Sequence, residues 1–386
     1  MMVGANAWGC TKIATLDGFS GRGGAQEFRC GAGTVRKGTS GRSSSMGGVE
    51  RLGRRTGLRG QNRGTGLAGW WWAVIEVLAP GLYTTIQDAG RAGLQQYGVP
   101  VQGAADRAAL ILGNRLVGND PSAAGLEVTL VGPILRFHVP TAVAVTGADL
   151  GATLNGNPLP VGRVACVRPG DVLAFRGGAK GCRAYVCVAG GIAVEPVRGS
   201  RSTDPLAGLG GLPGRPGKPL QAGDRIPLGT PGEDPCRLAG RQARWVFVPD
   251  RFVARVVLGP QVDFFPAEAY QVFFGADYTV TPASDRMGLR LDGPAIPRAN
   301  QEILSEGQPL GAVQVPPIGL PIVLLAGRAT VGGYPKLGVV VTPDICLLAQ
   351  ARPGDRIRFR PIGGQEAEEL YRHWWHLLHG DTVITG

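Results

Sequence analysis

Ten short β-rich runs, each bounded by a Gly or Pro turn, constrain this chain more than any other feature: AVAVTG, VACV, DVLAF, RAYVCV, RWVFV, RVVLG, QVFFG, PIVLLAG, GVVVTP and DRIRF. Apolar stretches this short and this closely spaced suit barrels or sandwiches, not the alternating strands and helices of a doubly wound sheet. With 63 Gly and 30 Pro in 386 residues, turns are never far apart. One punctuation recurs: RPGDVLAF (168–175), QAGDRIPL (221–228) and RPGDRIRF (352–359) each set a Gly-Asp turn before a strand. Similar turns in both halves suggest two related barrels. Helices are few. Residues 104–117 place Ala105, Ala109, Leu112 and Leu116 on one face, and Gly118 followed by NDP stops that helix. A second helix is expected at 365–379. The Gly-rich stretch 208–219 is a long loop, of the kind that serves as a binding element or lid.

A chain of this length predicts two folded units. The expected division is a Gly/Arg-rich disordered extension at 1–69, barrels at 70–235 and 236–363, and a helical tail at 364–386. A formal charge of +11 would suggest nucleic acid, but residues 1–69 carry +8 of it, with 11 Lys/Arg and 3 Asp/Glu. The remainder holds 29 Lys/Arg against 26 Asp/Glu and lacks a basic stripe interleaved with aromatics, so no nucleic-acid partner is expected. The first 69 residues have neither helical nor strand periodicity and too little apolar surface to offset their ordering entropy. No signal-peptide pattern precedes Gly69, and the WWWAVIEVL run at 70–78 is too short for a membrane span. A soluble, cytoplasmic protein is the expectation. Seven cysteines without a CxxC pair predict neither a zinc ribbon nor a disulfide framework. Cys166, Cys187 and Cys346 read as small buried hydrophobes.

Candidate chemistry concentrates in residues 305–336, SEGQPLGAVQVPPIGLPIVLLAGRATVGGYPK. Gly332, Gly333 and Pro335 would present Tyr334 and Lys336 from a stiff turn. After residue 69 the chain has only three lysines, Lys180, Lys218 and Lys336, so a compact ammonium is scarce. Lys336 can stabilise charge developing on a carbonyl oxygen or bind a carboxylate, or stand in water at a rim. Gln314 can meet an amide or ureido group with both donor and acceptor. RGSRSTD (198–204) packs two guanidiniums, three hydroxyls and a carboxylate into seven residues. Arg198 and Arg201 can grip an anion while Ser202, Thr203 and Asp204 line a tight turn, or the same groups can cap local backbone. Asp285 is a candidate for positioning Lys336 or a substrate amide, with an ion pair to Arg286 or Arg290 as the alternative. Glu127, a carboxylate in the apolar strand LEVTL, faces water by alternation or, if buried, becomes a possible general base. In TTIQDAGRAG, Gln87, Asp88 and Arg91 fit a site or a solvated loop equally well. His373, His376 and His379 drift around their helix without an acid to complete a metal site, so no metal is expected.

The motifs TTIQDAGRAGLQQYGVP (84–100), GAADRAALILGNRLVGNDPSAAGLEVTLVGP (103–133), TGADL (146–150), RGSRSTD and SDRMGLRL (284–291), together with 305–336, run in one order over roughly residues 75–362. By these the chain resembles the family whose members are variously called allophanate hydrolase subunit 2, biotin-dependent carboxyltransferase and the C subunit of 5-oxoprolinase. The resemblance implies a mainly β fold of two cyclophilin-like β-barrel subdomains with a few short helices. Because its pattern begins near Ile75, it also implies a translation start downstream of Met1, with a genuine disordered extension as the alternative. It implies a subunit of an ATP-dependent 5-oxoprolinase, which opens 5-oxoproline to glutamate, with the A and B subunits of 5-oxoprolinase as partners. A biotin-dependent carboxyltransferase component acting on urea or another small amide is the alternative, and a non-enzymatic regulator binding a kinase-inhibitor partner is a third. The chain has no GxxxxGK[ST] phosphate loop and no Met-Lys-Met biotinylation site. ATP is therefore expected at another kind of site or on a partner, and biotin on a partner chain. In this reading Lys336, Glu127 and Asp285 do the chemistry, while Arg198, Arg201, Ser202, Thr203, Asp204, Gln314 and Tyr334 bind substrate.

Overall fold

The computed structural model describes residues 74–178, 180–245, 247–380 and 384–385. The expectations for residues 1–69 lie outside them. The first half runs β1 (Val74–Ala79), β2 (Tyr83–Gln87), α1 (Arg107–Leu116), β3 (Gly125–Thr129), β4 (Ile134–Phe137), β5 (Thr141–Asp149), β6 (Ala152–Leu154), β7 (Asn157–Pro158), β8 (Val164–Val167), β9 (Val172–Phe175), β10 (Lys180–Val188) and β11 (Arg225–Pro227). These strands form two sheets, ordered β11-β1-β4-β9-β6-β7 and β2-β3-β10-β5-β8. Both sheets give side chains to one core. Ile75, Val77, Leu135, Phe137, Leu173 and Ile226 come from the first, and Leu126, Val128, Val143, Val145 and Val186 from the second. Burying each of these stabilises the fold by roughly 1.5–3 kcal/mol.

Strands β5 and β10 are apolar on both faces because both faces are covered. Val143 and Val145 point to the shared core, while Ala142, Ala144, Tyr185 and Cys187 meet Ala108, Ala109, Leu112 and Leu116 of α1. Thr146 Oγ1 donates to the Ala109 carbonyl at 2.7 Å. The helix begins three residues later than its apolar spacing predicts. Asp106 accepts a hydrogen bond from Ala109 N and caps it, which leaves Ala104 and Ala105 in the preceding loop.

The second half contains β12 (Gln242–Ala243), β13 (Phe252–Leu258), α2 (Ala267–Gly275), β14 (Asp277–Val280), β15 (Gly288–Asp292), β16 (Glu306–Gly307), β17 (Ala312–Gln314), β18 (Ile322–Leu324), β19 (Val331–Gly332), β20 (Lys336–Val340), α3 (Thr342–Leu348), β21 (Arg356–Pro361), α4 (Gly364–His379) and β22 (Ile384–Thr385). Seven of these strands close a barrel in the order β13-β20-β17-β18-β15-β14-β21, sealed by parallel pairing of β13 with β21. Period-two alternation makes the barrel: Phe252, Ala254, Val256, Ile357 and Phe359 turn inward. QVFFG, expected as a strand, is instead the end of α2. There Phe273 stacks on Phe359 with ring centroids 4.4 Å apart. The fold is mainly β with few helices.

The three Gly-Asp turns share one hydrogen bond. Asp171, Asp224 and Asp355 each accept from the backbone N–H three residues back, at 2.7–2.8 Å, and each precedes a strand. The reading of Cys166 as a buried hydrophobe is corrected: it forms a disulfide with Cys236, 70 residues away. It lies on β8, at an edge of its sheet, where the 3₁₀ turn Pro235–Leu238 packs against it. Cys187 and Cys346 are free and buried, and burial raises both thiols, Cys346 to about 12, which suits packing and not nucleophilic attack. Among the described residues no helix is long and apolar enough to cross a membrane.

Candidate functional site

Three polar centres hold most of the residues singled out by the sequence. The first is built where the end of β2 meets RGSRSTD. Asp88 is buried and collects hydrogen bonds from Gly90 N (2.8 Å), Ser200 Oγ (2.6 Å), Ser202 Oγ (2.5 Å) and Arg201 N (2.5 Å). Ser202 is thus committed to Asp88. Arg201 turns its Nε to the Val194 carbonyl at 2.7 Å, and Arg198 is exposed at the tip with φ 53°. Behind them lies Arg91, whose Nη2 donates to the Ser202 carbonyl at 2.7 Å and whose Nη1 stands 3.9 Å from Asp204 Oδ2. Burial lowers the Arg91 pKa, while Asp204 and Asp88 oppose that shift. Asp204 Oδ1 accepts from Gln102 Nε2 (3.0 Å) and from Leu206 N and Ala207 N (3.1 Å).

The second centre surrounds Glu127 of β3, which alternation turns into the protein and not toward water. Its Oε2 accepts from Ala105 N and Tyr185 Oη, both at 2.8 Å, and its Oε1 pairs with Arg286. The other arm of Arg286 donates to the Gly103 carbonyl at 2.6 Å. Burial brings Arg286 down to about 10. Asp106 Oδ2 accepts from Gln350 Nε2 at 2.7 Å, and burial pushes this carboxyl up to about 6. Asp285 is exposed, and its carboxylate accepts from Met287 N at 2.7 Å within its own turn.

The third centre is on the barrel. Lys336 is buried, opposite Gln314 across β17 and β20, and pairs with Glu306. Gln261 bridges them: its Nε2 donates to Glu306 at 2.9 Å, and its Oε1 accepts from Lys336 N at 3.3 Å. Gln314 donates to Gln308 Oε1 at 3.1 Å, and Arg328 Nε donates to the Gln308 carbonyl at 2.8 Å. Tyr334 is exposed. On α4, His373 and His376 are exposed, and His379 stacks on Trp375.

A cleft of about 640 Å³ runs between the halves, lined by Tyr83, Gln102, Arg183, Leu206, Asp285 and Arg286 among others. A recess of about 230 Å³ is lined by Ala89, Gln102, Arg107 and Arg328. The structure brings Thr203 and Asp204 together with Asp88, Arg91 and Gln102. The dipeptide Gln102–Gly103 joins this centre to the second, since Gln102 bonds Asp204 and the Gly103 carbonyl bonds Arg286. Lys336 and Gln314 form a separate group that reaches the recess through Gln308 and Arg328, while Tyr334 stays exposed beside it in sequence. Sequence reasoning missed Gln102, Arg183, Tyr185, Glu306 and Gln350. Each is a polar residue whose side-chain partners lie 30 or more residues away in the chain. Only Gln102, a lone amide beside the single glycine of VQGAAD, gave any local signal.

Residues 97–361 match the model of a carboxyltransferase domain, subdomain A and B. The C subunit of 5-oxoprolinase from Escherichia coli K12 is 38% identical over 296 residues, covering 76% of this chain and 93% of that protein. The solved structure of TTHA0988 superposes with a TM-score of 0.68 at 38% identity, covering 75% of this chain and 56% of that one. That of Kluyveromyces lactis urea carboxylase gives 0.72 at 29% identity, over 81% of this chain and 30% of that one. The chain thus spans little more than half of one solved relative and under a third of the other. It is a member of the carboxyltransferase-domain family with subdomains A and B.

Proposed function

We propose that the protein is a subunit of an ATP-dependent 5-oxoprolinase that opens 5-oxoproline to glutamate together with the A and B subunits of that enzyme. The observation that carries this reading is the match to the C subunit of 5-oxoprolinase over 93% of that protein's length. A lactam is a poor electrophile. ATP supplies a phosphoryl group to the carbonyl oxygen. One water adds to that carbon and the C–N bond breaks as nitrogen takes a proton, leaving an acyl phosphate; a second water then displaces phosphate, which leaves with the former carbonyl oxygen, and glutamate remains. This chain's part is to hold the amide and stabilise charge on its oxygen. Thr203 and Asp204 meet the substrate on one side, braced through Asp88 by Ser202 and the Arg201 backbone, with Arg198 exposed at the loop tip. Lys336, Gln314 and Tyr334 frame a second polar surface that receives a carboxylate or developing oxyanion. Asp285 lines the cleft as a proton carrier, and Glu127, behind Arg286, orients that guanidinium.

The test is glutamate release from 5-oxoproline and ATP by the chain co-expressed with the A and B subunits. Activity in the complex and little in the isolated chain is expected, with a drop of about 100-fold in Lys336→Met, which keeps the packed stem. An assembled complex that releases no glutamate overturns the reading. A second reading is favoured by the family model and by the urea carboxylase superposition: carboxyl transfer from a biotinylated partner to urea or a similar amide. Consumption of carboxybiotin on a carrier protein would select it.

A further inference from the structure

Five buried polar atoms of the first centre have no hydrogen-bond partner: Gln87 Oε1, Arg91 Nη1, Gln102 Oε1, Thr203 Oγ1 and Asp204 Oδ2. Each of these residues is at most 6% exposed. They are neighbours. Arg91 Nη1 and Asp204 Oδ2 are 3.9 Å apart, Gln102 bonds the other oxygen of Asp204, and Gln87 Nε2 donates to the Thr203 carbonyl at 3.1 Å. Buried polar groups cost stability unless something pairs with them, and five in one place are unusual. Their roof is bare backbone. A Cβ on Gly210 would stand 2.8 Å from Arg91 Nη2, and one on Gly211 would stand 3.0 Å from Thr203 Oγ1. Gln102 is held with φ 55°, a strained conformation for a side chain that long, in the loop that delivers it to Asp204. Gln102, Pro205 and Leu206 also line the 640 Å³ cleft, so the wall of that cleft is the outer wall of this cluster.

The unpartnered set consists of three acceptors (two amide oxygens and a carboxylate oxygen), one guanidinium donor and one hydroxyl. Three acceptors disfavour an anion, and the guanidinium disfavours a cation. A neutral planar N–C=O group suits both: its N–H donors, one in a lactam and four in urea, meet Asp204 first and Gln87 and Gln102 as their number allows, and its carbonyl meets Arg91 and Thr203. We infer that Gln87, Arg91, Gln102, Thr203 and Asp204 form a closed receptor for the amide or ureido head of a small substrate, entered from the cleft by displacement of Pro205–Leu206. The inference rests on the reading of this chain as the subunit that meets the amide, and deepens it by naming the atoms.

The test uses the full chain without ATP, titrated by calorimetry or ligand-observed NMR with 2-pyrrolidinone, urea and cyclopentanone. The last has the carbonyl but no N–H. Saturable binding of 2-pyrrolidinone or urea, and none of cyclopentanone, is expected, since a site built to bond N–H rejects an analogue without it. The stronger of the two identifies the head as lactam or ureido. Thr203→Val should weaken binding by about tenfold, while the unfolding midpoint without ligand stays level or rises because an unpaired hydroxyl is gone. Thr203→Ser should keep the binding. No binding to the wild-type chain, equal binding of cyclopentanone, or binding indifferent to Thr203→Val overturns the inference. Normal glutamate release by a Thr203→Val complex sinks this site and leaves the 5-oxoprolinase reading standing. Thr203-dependent binding beside an inactive assembled complex does the reverse.

Discussion

Asp106 shows how one residue can carry several tasks and a pH signature. Its Oδ1 caps α1, its Oδ2 receives Gln350, and its backbone N–H donates to Tyr185 Oη. Burial still outweighs these bonds and raises the carboxyl from 3.8 to about 6. Between those values the folded protein keeps a proton that the unfolded chain has lost. The stability linked to that proton is therefore complete below about pH 4 and lost as pH rises through about 6. Asp106→Asn keeps the acceptor that caps the helix and removes the titration. Relative to this variant, the wild type should lose on the order of 2–3 kcal/mol between pH 4 and 7, read from urea-unfolding curves at each pH. Parallel curves would contradict the buried, raised carboxyl. None of this was legible in the sequence, where Asp106 is one acid at the end of VQGAAD.

At the scale of the element, strands were legible and their bends were not. Eight of the ten short β-rich runs lie in or overlap strands, because alternation and β-branched content report on the strand itself. The register of β5 on β10 is different. It shifts between Lys180 and Ala184, and Gly147 sits in that irregularity at φ 84° opposite Ala184. A Cβ there would lie 2.4 Å from the Arg183 carbonyl. Gly147→Ala should therefore cost about 3 kcal/mol or more in chemical denaturation. A loss below about 1 kcal/mol would mean that the bulge relaxes freely. In the sequence TGADL, nothing distinguishes this glycine from one in an ordinary turn.

At the scale of the molecule, a few residues from the second half fasten the two sheets to the barrel. Gln350 Oε1 accepts from Cys182 N (3.2 Å) and Arg183 N (3.0 Å), while its Nε2 donates to Asp106 and to the Arg183 carbonyl (3.0 Å). Arg286 reaches Glu127 and Gly103, and Arg352 Nη2 donates to the Gly178 carbonyl at 2.9 Å. Gln350→Leu removes all four of these hydrogen bonds from the buried seam. It should cost roughly 3 kcal/mol or more and separate the far-UV and tryptophan-fluorescence unfolding transitions, which should coincide in the wild type. Coincident transitions with a small loss would show that the apolar contacts alone couple the halves.

The sequence by itself determined what is local: strands of period two, Gly-Asp turns that bond three residues back, a helix stopped at Gly118, and motifs in the order of one family. Tertiary structure decided the rest. Glu127 could have faced water until the other half of the chain brought Arg286 to its side of β3. RGSRSTD could have been a capped turn until Arg91 and Gln102, more than 100 residues earlier, came beneath it. The reason is physical. A strand or turn is specified by neighbours in the chain, but the partner of a buried polar atom is whatever packing carries there, and no local pattern encodes a hydrogen bond across that separation.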